Sequence, residues 1–148
     1  MNGDIDYTHA KPDDKTEIIE LIKSCNLPYE DLNTEKLKSF IIAKSDGEII
    51  GCIGMEFFKE HGLLRSLAVN ERFRNQKIGS ELYSRLISFS AQSGVKTIHL
   101  LTTTAENFFN RKGFSKSGRS AAPEAIKNSV EFSTLCPLSS VYMILQNF

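Results

Sequence analysis

The sequence predicts a single α/β domain, with a mostly antiparallel first half and a β-α-β unit in its middle. Three observations predict it. Between Phe40 and Val69, apolar runs of strand length are separated by two short turn signals, SDG at Ser45–Gly47 and KEHG at Lys59–Gly62. At Ile78 the apolar spacing changes to three- and four-residue steps, the period of a helix. After Gly94 a further apolar run, Val95–Leu101, returns the chain to strand.

Each element follows in order. Ile5–His9 has the length and alternation of a short first strand. Pro12 suits the first position of a helix, with Asp13 and Asp14 near its positive end. Ile18, Leu21, Ile22 and Cys25 give that helix one apolar face. The stretch NLPY at Asn26–Tyr29 breaks it, and a turn through Asp31 and Leu32 follows. Phe40–Ala43 reads as a strand and Ser45–Gly47 as a tight hairpin turn. Glu48–Phe58 is a long strand, apolar on both faces and therefore central. The Lys59–Gly62 turn leads into a strand at Leu63–Val69. From Ile78 a helix carries Ile78, Leu82, Leu86 and Phe89 on one stripe, and Gly94 closes it. After the Val95–Leu101 strand, Thr104 caps a short helix through Arg111 that Gly113 ends. The tail holds a short helix at Pro123–Asn128 and a last strand at Val141–Leu145. No repeat, low-complexity stretch or linker interrupts residues 1–148.

Composition narrows the function classes. A chain of 148 residues, 41% hydrophobic, buries about 68–70% of its unfolded surface and needs no disulfide or metal staple. Eighteen Lys plus Arg balance eighteen Asp plus Glu, so charge gives no reason to expect nucleic acid or a membrane as partner. The polar N-terminus has no apolar core of a secretory leader, and no apolar run reaches the roughly 20 residues of a spanning helix. Cys25, Cys52 and Cys136 are odd in number and lack metal-ligand spacing, and no Cys/His cluster supports a metal. Reduced thiols in a cytoplasmic protein are the expectation.

The informative stretch is Leu63–Gly79, LLRSLAVNERFRNQKIG, a strand running through an arginine-bearing loop directly into a helix. A helix start leaves backbone N–H groups unpaired and carries partial positive charge, which suits an anionic group such as a pyrophosphate. Arg72, Arg74 and Lys77 bring three cations there, and Gly79 lets a ligand approach the backbone. Taken alone, the same residues also fit a plain solvated basic loop.

The wording of the segment resembles the GNAT acetyltransferases. Their signature is a strand ending Leu-Ala-Val, then Arg/Gln-x-x-Gly-x-Gly/Ala opening a helix. Leu67-Ala68-Val69 followed by Arg74, Asn75, Gln76, Lys77, Ile78 and Gly79 matches it, with Lys77 in place of the first glycine. The family's second motif, Ala-x-x-Phe-Tyr-x-x-x-Gly-Phe, is matched from Ala105 to Phe114 except that Phe109 replaces the tyrosine. Leu27–Leu32, Leu63–Val69, Leu101–Ala105, Glu131–Phe132 and Leu135–Ser140 are similar to the branch associated with arsenic-resistance operons.

The resemblance implies a GNAT fold, a mixed and mainly antiparallel sheet of six or seven strands with helices on both faces. Its two middle strands splay apart to admit acetyl-CoA, the cosubstrate. The backbone of Leu67, Ala68 and Val69 would pair with the pantetheine arm, and Arg74 with the amides from Asn75 to Ser80 would hold the pyrophosphate. Lys77 keeps the N–H and adds a cation, which preserves phosphate binding unless that position needs positive φ. Thr102 stands where the family commonly has asparagine, and Asn107 and Phe109 fall in the second motif beside the cofactor. A phenyl ring at Phe109 cannot protonate a leaving thiolate as the family's tyrosine does. The implied reaction is direct acetyl transfer to the primary amine of a small amino acid or amino-acid-like compound. Two rivals are a protein lysine or N-terminal acetyltransferase and a non-catalytic acetyl-CoA-binding module. Family members often form homodimers, for which the C-terminal strand offers an interface.

The family's usual glutamate base is replaced by Leu63. Glu56, the ionisable residue in an otherwise apolar run, is the preferred base, and its alternative is a structural ion pair with Arg65. That pairing places the two directly opposite if Glu60-His61 forms the hairpin loop. Arg65 is expected to clamp a substrate carboxylate, with Ser66 beside it, or else to serve only that ion pair. Glu131 either contacts the acceptor amine or is a solvated surface residue. His99 is expected to be a satisfied core histidine, and Cys136 lacks a basic partner that would make it a nucleophile.

Overall fold

The computed structural model describes residues 4–146 and 148, so the start of the polar N-terminal stretch lies outside the described residues. Seven strands form one mixed sheet: β1 (Ile5–His9), β2 (Phe40–Ser45), β3 (Glu48–Phe58), β4 (His61–Val69), β5 (Thr97–Thr102), β6 (Ser115–Ser117) and β7 (Val141–Leu145). Their order is β1-β2-β3-β4-β5-β7-β6. The helices are α1 (Lys15–Ser24), α2 (Thr34–Leu37), α3 (Ile78–Gln92), α4 (Glu106–Arg111) and α5 (Glu124–Lys127), with a π-helical turn at Glu131–Leu135. Among the described residues no helix is long and apolar enough to cross a membrane. The chain forms two compact units, one from residues up to Met55 with Ser66–Phe89, the other from Glu56–Arg65 with Ser90–Phe148. It passes from one to the other inside β3, β4 and α3.

In the first unit β1 and β3 both pair antiparallel with β2, and the register of β2 and β3 shifts between Ala43 and Lys44. The apolar stripe of α1 is buried as its spacing predicts: Ile18, Leu21 and Ile22 meet Phe40, Ile42, Ile49 and Cys52. The helix begins at Lys15 rather than Pro12, because Pro12–Asp14 forms a 3-10 turn closed by Lys11 N donating to Asp14 Oδ2 at 2.9 Å. β2 runs two residues past the expected Ala43, and the turn falls on Asp46 and Gly47, both at positive φ (51° and 79°). The sequence reading missed α2. Its start is fixed by one cap, Asn33 Oδ1 accepting from Lys36 N at 2.8 Å, and four residues are too few for periodicity to register. β3 has the expected span, and it is buried from Ile49 to Met55. Gly54 pairs with Phe40, whose ring covers it: a Cβ there would lie 2.3 Å from Phe40 Cε1.

In the second unit β4 joins β5 in parallel through His61↔Thr97, Gly62↔Ile98 and Leu63↔His99. β7 lies antiparallel between β5 and β6, so both its edges are occupied and the C-terminal strand offers no edge for a partner. β5 starts at Thr97 rather than Val95, because the amides of Lys96 and Thr97 both donate to Glu60 O. Gly94 closes α3 at φ 85°, as predicted. The core gathers Leu63, Ala122, Ile126, Phe132 and Tyr142. α5 is shorter than the expected Pro123–Asn128, while β6 and the π-helical turn were not foreseen.

Candidate active site

Three charged side chains of the second unit meet. Arg65 Nη1 donates to Glu56 Oε2 at 2.8 Å, and Arg65 Nε lies 3.2 Å from Glu131 Oε2. The arginine side chain has no exposed surface, Glu131 is 4% exposed and Glu56 12%. Each position has a local cause. Glu56 opens the last three residues of β3, where the strand turns from buried to half-buried. Arg65 sits on buried β4, where an uncompensated charge would cost several kcal/mol. Glu131 begins the π-helical turn, which Ser129 starts by accepting from Phe132 N at 3.3 Å and Cys136 N ends by donating to Glu131 O at 2.9 Å.

Two expectations are corrected here, and one of two alternatives for Arg65 is present. The hairpin turn falls on Lys59 and Glu60, one residue earlier than Glu60-His61, because Lys59 itself takes positive φ (57°); the ion pair forms nonetheless. Glu131 is buried, not a solvated surface residue, because Arg65 compensates its charge. Arg65 gives Nε and Nη1 to carboxylates of its own chain, which includes the ion pair with Glu56 that the sequence offered beside a substrate clamp.

In the first unit, β4 ends in Ser66, Leu67, Ala68 and Val69. Ser66 is buried in the left-handed region (φ 61°), and its carbonyl accepts the Cys52 thiol at 3.3 Å. Burial, above all, pushes that thiol up, so it stays protonated. Leu67 and Val69 are half-buried and Ala68 is buried. The loop that follows holds two non-glycine residues at positive φ, Asn75 (66°) and Lys77 (64°). The position the family gives to glycine does have positive φ, the case in which the sequence led us to expect phosphate binding to fail; Lys77 nevertheless adopts it (64°), at a cost of about 1–2 kcal/mol, so its backbone keeps the glycine-like path. Lys77 O accepts from Glu81 N, which starts α3 and leaves the amides of Ile78 and Gly79 without intrahelical acceptors. A Cβ on Gly79 would meet only Val69 Cγ2, at 3.9 Å, so space for a ligand remains beside that backbone.

The loop's cations are unequally engaged. Arg72 pairs with Glu48 at 3.3 Å and lies over the Phe73 ring. Arg74 Nε donates to Val69 O at 3.3 Å, and its Nη2 lies 3.7 Å from Cys25 Sγ. The exposed Lys77 ammonium has no ion-pair partner among the described residues. With exposed Asn75 and Gln76 and half-buried Ser80, this donor set fits a phosphate-bearing ligand.

The remaining predicted residues lie in the second unit. Thr102 Oγ1 accepts from the amides of Thr104 (3.3 Å) and Ala105 (2.9 Å), so Thr102 rather than Thr104 caps the turn into α4. Asn107 is exposed on α4, and Phe109 is buried between Phe108 and Phe114. His99 is a satisfied core histidine: Nδ1 lies 2.7 Å from the Tyr142 hydroxyl and Nε2 3.0 Å from Thr97 Oγ1, which also meets His61 Nδ1 at 2.6 Å. Burial first, then the His61 ring, lowers His99 to about 4, and burial raises Tyr142 to about 12. A neutral His99 carries one ring proton, so it donates one of its two hydrogen bonds and accepts the other. The sequence reading did not pick out His61, Thr97 and Tyr142. The direct pairing of His61 with Thr97 in adjacent strands is the signal that would have found them.

The model of the Acetyltransferase (GNAT) family matches residues 6–118. The amino-acid acetyltransferase of Pseudomonas putida (strain GB-1) is 34% identical over 92 residues, covering 61% of this chain and 21% of its own length. An uncharacterized N-acetyltransferase of Chlorobaculum tepidum is 32% identical over 93 residues, 62% of this chain and 59% of that protein. The chain thus spans about a fifth of the amino-acid acetyltransferases it matches. Among solved structures, N-acetylglutamate synthase from Neisseria gonorrhoeae, complexed with coenzyme A and N-acetyl-glutamate, superposes with TM-score 0.85 at 18% identity over 100% of this chain and 36% of that one. A Mycobacterium tuberculosis protein in complex with CoA superposes with TM-score 0.81 at 20% identity, covering 97% of this chain and 99% of that one. Both show the shared fold.

Proposed function

We propose that this chain, which belongs to the Acetyltransferase (GNAT) family, transfers the acetyl group of acetyl-CoA directly to the primary amine of a small amino acid or amino-acid-like compound. The observation that carries the reading is the start of α3. Amides at Ile78 and Gly79 without intrahelical acceptors, a Lys77 ammonium with no ion-pair partner among the described residues, and open space at Gly79 stand in the segment that resembles the family's motif. Likeness to amino-acid acetyltransferases supports the acceptor class. The wording similar to the arsenic-resistance branch favours a small-molecule acceptor, and the free thiols of Cys25, Cys52 and Cys136 favour a cytoplasmic location. A homodimer would use a surface other than the edges of β7.

Acetyl-CoA supplies an activated thioester. The residues of this chain hold it and manage the proton. The main chain of Leu67–Val69 takes the pantetheine arm, and Arg74 to Ser80 take the phosphates. An α-amino group titrates near 7.7–8.0 in peptides and higher in free amino acids, so a base is needed to present it uncharged. Glu56 is that base, the least buried member of its cluster. Arg65 holds its carboxylate in place instead of binding substrate, and Glu131 shares the guanidinium from the other side. Phe109 has no proton to give, so water returns one to the CoA thiolate.

The test begins with a thermal shift on acetyl-CoA alone, then a thiol-release assay over amino acids, polyamines and peptides. A shift with turnover on amino acids is the expected result. A shift with no turnover on any amine favours a binding module, turnover on peptides alone favours a protein acetyltransferase, and no shift overturns the reading.

A further inference from the structure

We infer that Arg119 is a positioning residue for the acid–base cluster, because it fixes the π-helical turn that presents Glu131 to Arg65. The inference rests on the reading of Glu56 as the base.

Arg119 opens a 3-10 turn, Arg119–Ala121, and lies half-buried. Its Nη1 donates to Pro137 O at 3.2 Å and Ser140 O at 3.4 Å, and its Nη2 to Phe132 O at 3.3 Å. The guanidinium stands 5.0 Å from the Phe132 ring centroid. Among the described residues its partners are three main-chain carbonyls and one ring, and none is a carboxylate. The whole charge therefore acts on peptide dipoles, one at Phe132 near the start of the turn and two, Pro137 and Ser140, beyond its end.

That placement has a purpose the rest of the turn makes plain. A π-helical turn is rare and is met most often as a single turn at functional sites. This one is anchored at its start by Ser129, which donates to Ile126 O at 2.7 Å and accepts from Phe132 N. Arg119 ties Phe132, the second residue of the turn, to Pro137 and Ser140 beyond its end, which closes residues 132–140 into one held loop. Phe132 is further wedged against Tyr142, 5.7 Å away and edge-on. Glu131 precedes Phe132, so what fixes Phe132 fixes the direction of the Glu131 carboxylate. Without Arg119 the turn is free to tighten to the commoner α-helical register, which swings Glu131 off Arg65 Nε. Glu56 then receives more of the guanidinium's field and becomes a weaker base.

The test is a double-mutant cycle of Arg119→Ala and Glu131→Gln, with Arg119→Lys and Glu56→Gln alongside. Arg119→Ala is expected to lower kcat about tenfold while KM for acetyl-CoA stays unchanged, and to move the acidic limb of the pH–rate profile to lower pH. Glu131→Gln should move that limb in the same direction, and the double variant should be no worse than either single one. Arg119→Lys, which keeps the charge and the fold, should recover part of the rate. Amide exchange at Phe132 and Cys136 should quicken in Arg119→Ala but not in Glu131→Gln. Wild-type kcat and limb in Arg119→Ala, or additive losses in the cycle, overturn the inference; if Arg119→Ala does not fold, Arg119→Lys with Glu131→Gln decides on the same criteria. Full activity in Glu56→Gln overturns the base assignment separately.

Discussion

Arg65 and Glu56 are joined at 2.8 Å with the arginine wholly buried, so each fixes the state of the other. Glu56→Gln keeps the shape and a hydrogen bond but removes the base, and kcat should fall by about 10²-fold or more at neutral pH. Arg65→Met leaves Glu56 and Glu131 buried without a cation and should destabilise the fold by about 3–5 kcal/mol in urea titration. Arg65→Lys should lower stability and kcat while leaving KM for an amino-acid acceptor near wild type. A large rise in that KM would return Arg65 to the role of a substrate clamp.

Lys77 separates strain from charge. Lys77→Gly removes a side chain from positive φ and should raise the ligand-free Tm by a few degrees, an effect of roughly 1 kcal/mol. The same change removes the ammonium and should weaken acetyl-CoA binding up to about fivefold at low salt, with a shallower salt dependence. Lys77→Ala keeps the strain and loses the charge, so it should lose affinity without gaining stability. Calorimetric titration at two salt concentrations distinguishes the three proteins.

His99 ties stability to pH. Its folded value near 4 lies below the 6.5 of an unfolded histidine, so on acidification the unfolded chain takes up the proton first. Its contribution is therefore complete above about pH 6.5 and is lost as pH falls towards 4. Between pH 7.5 and 5 it should account for a loss on the order of 2 kcal/mol, read from urea midpoints. His99→Asn should flatten that part of the profile.

What the sequence made legible follows from the length over which each signal repeats. β3, α3 and β7 carry periodic or continuous apolar patterns through their whole spans, and their bounds or starts were foreseen. α2 and β6 depend on a single cap and a neighbouring strand, so nothing in their own residues announces them. The site divides the same way. The loop from Arg74 to Gly79 is contiguous and could be read as a motif, and the hairpin offered Glu56 as a partner for Arg65, whereas the second partner, Glu131, lies 66 residues further on. The burial of Glu131 depends on Arg65, far from it in sequence, and the positive φ of Lys77 on a backbone path that a lysine does not signal.

Gly54 beneath the Phe40 ring has a consequence for how this chain can diverge. With 2.3 Å between ring and hypothetical Cβ, neither position is free to drift alone. Any descendant that acquires a side chain at 54 must first, or at once, shrink residue 40; shrinking it first passes through a cavity in the core, and the reverse order through a clash. The two sites form a ratchet on the evolutionary path, and sequences descended from this one should change there together or not at all.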